Sequence, residues 1–113
     1  MDKIYEQTLL YDFYGELLNN HQRKVFEDAV FNDLSLSEVA DTHSISRQAA
    51  HDLIKRVTNT LQGYEEKLHM ISRFKKIEIV AGRIRDISQG TVGHEEIDEI
   101  RKSSEEILDI MSN

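Results

Sequence analysis

Residues 35–57 alternate apolar and polar positions in a pattern typical of a helix-turn-helix, and no other feature of the chain constrains its fold as tightly. Val39 and Ala40 are small apolar residues in a short first helix, where a second helix can cross closely. Ile45 supplies an apolar side chain in the turn, and Ser46 can cap the helix that follows. Inward-facing residues then recur at helical spacing: Ala50, Leu53, Ile54 and Val57.

The second helix of this motif turns polar side chains outward, as expected of a nucleic-acid-binding surface. Its first turn reaches deepest into a groove, where an arginine pairs with guanine or phosphate and a glutamine suits adenine. Later positions suit phosphates or the thymine side of a base pair. Asp52 would repel phosphate, but it can accept from cytosine or pair with Arg56 four residues on. The candidate nucleic-acid-binding residues are Arg47, Gln48, His51, Asp52, Lys55 and Arg56.

Composition favours a small helical protein of the cytoplasm. The 113 residues suit a single core, and with no proline and only five glycines little interrupts long helices. The absence of cysteine excludes disulfides and thiolate metal sites and fits a reducing compartment. The start carries no apolar signal core, and no apolar run approaches the roughly 18 residues of a membrane span. We therefore expect a soluble, cytoplasmic protein without a membrane span.

Charge is distributed unevenly along the chain, which has 14 basic and 21 acidic residues and a net charge of −7. Residues 44–85 hold 9 basic and 4 acidic residues, whereas residues 1–43 hold 3 and 9 and residues 86–113 hold 2 and 8. The positive charge is therefore gathered in the middle third, which begins at the predicted recognition helix. An ordinary solvated face is the alternative interpretation. Acidic flanks should weaken nonspecific DNA binding and sharpen its salt dependence.

Capping signals and apolar periodicity predict helices along the rest of the chain. Ser35 and Glu38 have the spacing of a capping box, and Asn19 or Asn20 can cap the helix before it. The predicted helices cover 3–18, 21–32, a short segment from the capping box to about residue 42, a long segment from residue 46, and 94–111, with a loop over 89–93. The first helix should turn Ile4, Leu9, Leu10, Phe13 and Leu17 inward, and the last should turn Ile97, Ile100, Ile107, Leu108 and Met111 inward.

A heptad-like seam prolongs the second helix of the motif. The recognition helix either runs unbroken from Arg47 to Ser88, on the order of 60 Å, or passes into a second helix near Ser72. Because one small core cannot cover that length, we expect the seam to pack against a helix of the same chain or to form a homodimer. The seam residues recur at intervals of three and four: Val57, Leu61, Tyr64, Leu68 and Ile71.

The predicted fold is all-α and has two parts. Residues 1–60 form a helical domain that contains the helix-turn-helix. Residues 61–113 form the extension of the long recognition helix and the C-terminal helix, a region for dimerisation or packing.

Four segments carry a family resemblance: YDFYGELL at 11–18, HQR at 21–23, DLSLSEVA at 33–40 and ISRQAAHD at 45–52. Through these segments the chain resembles the YlxM family of small bacterial helix-turn-helix proteins associated with the signal recognition particle pathway. The resemblance implies an all-helical protein with a domain similar to region 4 of sigma factors, and it adds a context rather than a mechanism. One departure from the general helix-turn-helix pattern is Ser44, where glycine is usual because φ tends to be positive. We therefore expect a slightly strained turn.

Three functions remain open. The first is a DNA-binding regulator that dimerises through its long helices. The second is an accessory that binds the RNA of the signal recognition particle by its backbone. The third is a protein-interaction adaptor for that particle or its receptor, which would use the seam. A secondary phosphate-contacting stripe would serve the first two functions: Lys67, Arg73, Lys75 and Lys76.

Catalytic, metal and cofactor motifs are missing from the sequence. The five histidines never form an H-E-x-x-H pair, and the glycines at 90 and 93 lack the lysine and hydroxyl residue of a P-loop. Acidic pairs such as Glu65–Glu66 are expected to be exposed helix surface. We therefore expect no enzyme activity, no metal and no cofactor.

Overall fold

The computed structural model describes residues 3–112, and within that range it consists of helices and turns without a β-strand. The predicted all-α fold is confirmed. The chain divides into two compact units, the first ending at His69 and the second beginning at Met70. The helices are α1 (Lys3–Tyr14), α2 (Asn20–Val30), α3 (Leu36–His43), α4 (Arg47–Leu68), α5 (Met70–Ser88) and α6 (His94–Ser112), and a 3-10 turn, Gly15–Leu17, follows α1.

The inward face of α1 differs from the predicted one at both ends. Leu10 and Tyr14 are buried, whereas Ile4 and Leu17 are exposed. The helix gives way at Gly15 to a 3-10 turn, whose tighter repeat rotates the following side chains. For this reason Leu18, and not Leu17, reaches the core.

Local hydrogen bonds confirm the predicted caps. Asn19 begins α2: its side chain accepts from the Gln22 backbone N–H at 2.8 Å, and the Gln22 side chain accepts from the Asn19 N–H at 3.0 Å. Ser35 and Glu38 form the same reciprocal capping box ahead of α3. The hydrogen bond from the Ser35 backbone N–H lowers the pKa of the Glu38 carboxyl. Each box satisfies donors that a helix N-terminus otherwise leaves open.

The long recognition helix ends at Leu68. Of the two predictions, an unbroken helix to Ser88 is therefore wrong, and the passage into a second helix is confirmed. His69 adopts the left-handed backbone conformation, with φ 55°, and its N–H donates to the Glu65 carbonyl at 2.9 Å. This C-cap satisfies a carbonyl at the end of α4. At about 1.5 Å per residue, the 22 residues of α4 span roughly 33 Å.

The second unit is an antiparallel hairpin of α5 and α6 around the predicted loop at 89–93. Val80 on α5 and Ser103 on α6 are buried. The predicted inward stripe of α6 is only partly inward: Ile100 and Ile107 are half-buried, whereas Ile97, Leu108 and Met111 are exposed. The small side chain of Ser103, which the apolar pattern passes over, occupies the buried position instead.

Candidate nucleic-acid interface

A compact cluster of small apolar residues fixes α4 against α2 and α3. Val25, Val39, Ala40 and Ala50 are buried together. The alanines carry only a methyl group, so the two helices of the motif approach closely at this point. The side chains that surround the cluster come from every element of the motif: Ala29, Leu34, Leu36, Ile45, Leu53 and Ile54. The residues predicted to be inward on the motif are therefore the ones that hold it together.

The turn between α3 and α4 contains the strain that the sequence predicts. Ser44 lies in the left-handed region with φ 54° and ψ 43°, a conformation that a side chain with a Cβ disfavours. The Ile45 N–H donates to the Ala40 carbonyl at 3.0 Å, which closes the turn. Ser46 then caps α4, because its hydroxyl accepts from the Ala49 N–H at 3.0 Å. The turn thus sets the direction in which the recognition helix leaves α3.

All six candidate nucleic-acid-binding side chains lie on the surface of the first three turns of α4. Arg47, Gln48, His51, Asp52, Lys55 and Arg56 are exposed. On the other side of the helix Ala50 and Val57 are buried, and Leu53 and Ile54 are half-buried. The helix therefore presents a polar face outward while its apolar face stays on the core.

Asp52 organises the polar face at its centre. The Gln48 amide donates from Nε2 to Asp52 Oδ1 at 3.0 Å, and the His51 ring nitrogen Nδ1 lies 3.4 Å from the same oxygen. Asp52 thus contacts the residue four positions before it, and not Arg56 four positions after it. An amide has two N–H donors and one carbonyl acceptor. Gln48 therefore keeps one donor and its acceptor for a ligand while Asp52 orients it.

The first half of α4 is locally basic although the whole chain is acidic. Residues 47–57 contain three basic side chains, Arg47, Lys55 and Arg56, and one acidic side chain, Asp52. The helix N-terminus adds its own partial positive charge beside Arg47. An anionic backbone is therefore attracted to this end of α4 in preference to the acidic surfaces elsewhere.

A polar pair that the sequence does not reveal joins α3 to α2. His43 Nε2, at the end of α3, lies 2.7 Å from Asp28 Oδ2 on α2, and both side chains are largely covered. Asn32 Nδ2 donates to the other oxygen, Asp28 Oδ1, at 2.7 Å. The hydrogen bonds from Asn32 and then His43 lower the pKa of the Asp28 carboxyl. The partners are 15 residues apart, so no local pattern announces them.

Glu65 contradicts the expectation that it is plain helix surface. It is half-buried, and the phenol of Tyr14 donates to Glu65 Oε1 at 2.6 Å. Tyr14 is itself almost completely buried, and its ring lies 5.9 Å from that of Tyr64. This contact fastens α1 to the last turns of α4, so that the recognition helix is held along its length.

The secondary phosphate-contacting stripe is not brought together on one helix. Lys67 lies on α4, 20 residues after Arg47 and therefore about 30 Å along the axis. Arg73, Lys75 and Lys76 lie on α5, which belongs to the second unit. By contrast, the six candidate side chains of the first turns of α4 all lie on the outward half of one helix.

The seam residues divide between the two units. Val57 and Leu61 are fully buried in the first unit, and Tyr64 is half-buried beside Tyr14. Leu68 is 44 % exposed at the end of α4, and Ile71 is buried in the second unit. Val57 and Leu61 are thus packed in the core of their own chain.

Within residues 3–112, no helix is both long and apolar enough to cross a membrane. The same residues contain no group of three or more histidine and carboxylate side chains arranged to hold a metal ion.

Comparisons with known proteins agree with this architecture. Residues 1–103 match the model of the family UPF0122, described as "Putative helix-turn-helix protein, YlxM / p13 like". The chain is 42 % identical over 96 residues to a UPF0122 protein of Thermoanaerobacter sp. strain X514, covering 75 % of this chain and 82 % of that protein.

Two further relatives extend over nearly the whole chain. The UPF0122 protein YlxM of Bacillus subtilis is 31 % identical over 107 residues, covering 95 % of this chain and 97 % of the relative. A UPF0122 protein of Acetivibrio thermocellus is 36 % identical over 118 aligned positions, covering 100 % of both. The chain therefore belongs to the YlxM/p13-like family of helix-turn-helix proteins.

Proposed function

We propose that this member of the YlxM/p13-like family is a regulatory protein that binds duplex DNA, with the first three turns of α4 in the major groove. One observation carries the proposal. Six polar side chains project from the outward half of α4, and apolar residues on its other half fix that helix to α2 and α3. An α-helix of this kind fits the width of the major groove, and its N-terminal residues contact base edges.

Arg47 and Gln48 are the residues that would read bases. Both are exposed in the first turn, and the cap at Ser46 orders the backbone that carries them. Arginine forms two hydrogen bonds with guanine, and a glutamine amide forms two with adenine. Because Asp52 already orients the Gln48 amide, less side-chain freedom is lost when Gln48 binds a base.

His51, Lys55 and Arg56 would contact the phosphates on either side of the groove. Such contacts fix the register of the protein and carry no sequence information. They also release counterions, so binding should fall steeply as salt rises. The net charge of −7 opposes nonspecific association, and most of the affinity must therefore come from this one surface.

A homodimer would extend the proposed function to two half-sites. Two copies of α4 separated by about 34 Å would enter successive major grooves on one side of the duplex. Because bacteria such as Bacillus subtilis keep their DNA in the cytoplasm, a DNA target would place the protein there.

Selection of bound sequences from random duplex DNA tests the proposal. We expect the intact chain to enrich a defined motif and Gln48→Ala to lose preference at one base position, with discrimination reduced by about 1–3 kcal/mol. Gln62→Ala is the matched control, because Gln62 is also exposed on α4 but lies 14 residues further on. The proposal fails if the intact chain enriches nothing, or if both variants enrich the same motif as the intact chain.

The RNA of the signal recognition particle is the second candidate ligand, and the basic surface of α5 favours it. This helix has five basic and two acidic residues, and Arg73, Lys75 and Lys76 lie within four positions of each other. Such a basic segment suits the phosphates of an RNA helix, which proteins recognise mainly by backbone and shape.

A double variant separates the two candidates. For RNA binding, Lys75→Ala with Lys76→Ala should weaken affinity at least tenfold in a filter-binding assay, because two phosphate contacts are lost. Arg101→Ala with Lys102→Ala removes the same charge from α6 and should have little effect. Equal losses from both double variants would indicate a response to net charge alone and would exclude a specific RNA surface on α5.

A further inference from the structure

One side of the α5–α6 hairpin is apolar and exposed. On α6, Ile97, Leu108 and Met111 are 48 %, 63 % and 63 % exposed, and the small Ser104 lies among them on the surface. Since successive residues turn about 100°, these four positions fall within roughly 60° of each other on the helix. They lie on average about 110° around the helix from Ser103, whose buried side faces α5. The stripe is therefore separate from the contact inside the hairpin.

A second strip on α5 faces the same way. Val80 marks the face of α5 that is turned to α6, and Ala81 lies about 100° further around the helix with the half-buried Ile77 between them. On each helix, the apolar positions are reached by turning from the buried contact residue, Ser103 or Val80, in the direction of increasing residue number. Because the two helices are antiparallel, these two rotations lead to the same side of the hairpin. Ile79 is exposed on the opposite side of α5. The hairpin thus has one broad apolar face and one face with a single exposed isoleucine.

The hairpin does not complete a core from its own two helices. Its fully covered residues are few among the described ones, and the half-buried isoleucines on both helices keep part of their surface in water. Helices of this length gain most of their stability from packing an apolar face, and two helices alone form only one such contact. A second layer of helices would cover the stripe of α6 and complete a bundle.

The opposite charges of α5 and α6 favour a second copy of this chain as the layer of helices that covers the apolar face. Helix α5 carries five basic and two acidic residues, whereas α6 carries two basic and seven acidic residues. When two hairpins face each other about a twofold axis along the helices, α6 of each copy lies beside α5 of the other. Every helix then has neighbours of opposite charge, as in the Arg83–Glu106 ion pair of 3.2 Å inside one hairpin.

We propose that this chain forms a homodimer in which the apolar faces of two α5–α6 hairpins pack into a four-helix bundle. The contact uses Ile97, Ser104, Leu108 and Met111 from each copy, and the acidic α6 of one copy lies beside the basic α5 of the other. This interface would supply the dimer of the proposed DNA-binding function, and it lies on elements other than the recognition surface of α4.

Sedimentation equilibrium of the full chain without DNA tests the dimer, so its outcome does not depend on the proposed function. The intact chain should sediment at twice its 13.1 kDa mass at tens of micromolar. Leu108→Asp should raise the dimer dissociation constant about 100-fold, because each copy brings a charge into the apolar contact. Ile79→Asp is the matched control, since Ile79 is 67 % exposed on the other face, and this variant should dimerise like the intact chain.

A milder variant keeps the test decisive if aspartate disturbs the helix itself. Leu108→Ala retains a good helix former, so circular dichroism should be unchanged while the dissociation constant still rises about tenfold. A monomeric intact chain at 100 µM would overturn the proposal and leave the apolar face to a different protein. Equal dimerisation of the Leu108 and Ile79 variants would overturn it as well.

Discussion

Ser44 is the residue at which the helix-turn-helix is held in an unfavourable backbone conformation. Its φ of 54° costs a residue with a Cβ on the order of 1–2 kcal/mol, whereas glycine adopts this region freely. The turn is retained because buried residues on both sides, Ala40 and Ala50, fix the helices that it joins.

Ser44→Gly should therefore stabilise the chain by roughly 0.5–1 kcal/mol. This value is the strain that glycine relieves, reduced by the greater conformational freedom of glycine in the unfolded chain. The midpoint of urea unfolding should rise accordingly. Ser37→Gly, at an exposed position inside α3, should instead lower the midpoint. A lower midpoint for the Ser44 variant would mean that its hydroxyl stabilises the turn in a way the observed contacts do not explain.

Asp28 makes the fold sensitive to acid. Hydrogen bonds from Asn32 and His43 lower the pKa of its carboxyl, so the stabilisation is present above the unfolded pKa of about 3.9 and is lost as pH falls through the lower folded value. Asp28→Asn should cost about 1 kcal/mol at pH 7, since part of the side chain still contacts water. Asp41→Asn, at an exposed position on α3, should cost much less.

Chemical denaturation at pH 7 and below pH 3 measures this difference. The intact chain and the Asp28 variant should converge in acid, where the carboxyl is protonated in both the folded and the unfolded protein. A difference in stability that stays constant over this range would contradict the assigned role of the ionised carboxyl.

At the scale of the elements, α4 carries the proposed recognition surface at one end and packs in the core along the rest. Leu61 is 0 % exposed, whereas Leu68, seven residues later on the same helix, is 44 % exposed. Leu61→Ala should destabilise the chain by about 2–5 kcal/mol because it leaves a cavity. Leu68→Ala should change the stability by less than about 0.5 kcal/mol. Thermal unfolding compares the two, and equal losses would mean that Leu68 is covered in solution.

How well an element can be predicted depends on how far apart in the sequence its interacting residues lie. The caps at Asn19, Ser35 and Ser46 depend on residues three positions away, and the sequence predicts all three. The break at His69 depends on a left-handed residue that is not glycine, and the heptad pattern continues across it without a local signal.

Contacts between distant residues escaped prediction for the same reason. The Tyr14–Glu65 hydrogen bond joins positions 51 residues apart, and only the folded chain brings them together. The outward positions of α4 were predictable because helical periodicity alone separates them from the inward ones. Which of these outward residues binds a ligand remains a prediction.

At the scale of the whole molecule, the proposed function depends on an uneven distribution of charge. The basic end of α4 belongs to a chain with a net charge of −7, and seven of its acidic residues lie on α6. Under the proposed function, such a charge distribution would disfavour loose association with DNA and favour docking through the basic end of α4. The proposed bundle would place the acidic α6 of one copy beside the basic α5 of the other.

Backbone amide chemical shifts measured while duplex DNA is added at low salt test the central claim most directly, because they report on each residue and require no known target sequence. We expect the largest shifts to fall between Ser46 and Arg56, and Arg47→Ala to remove most of them. Shifts confined to residues 70–112, with α4 unchanged, would contradict the assignment of the first three turns of α4 as the DNA-binding surface.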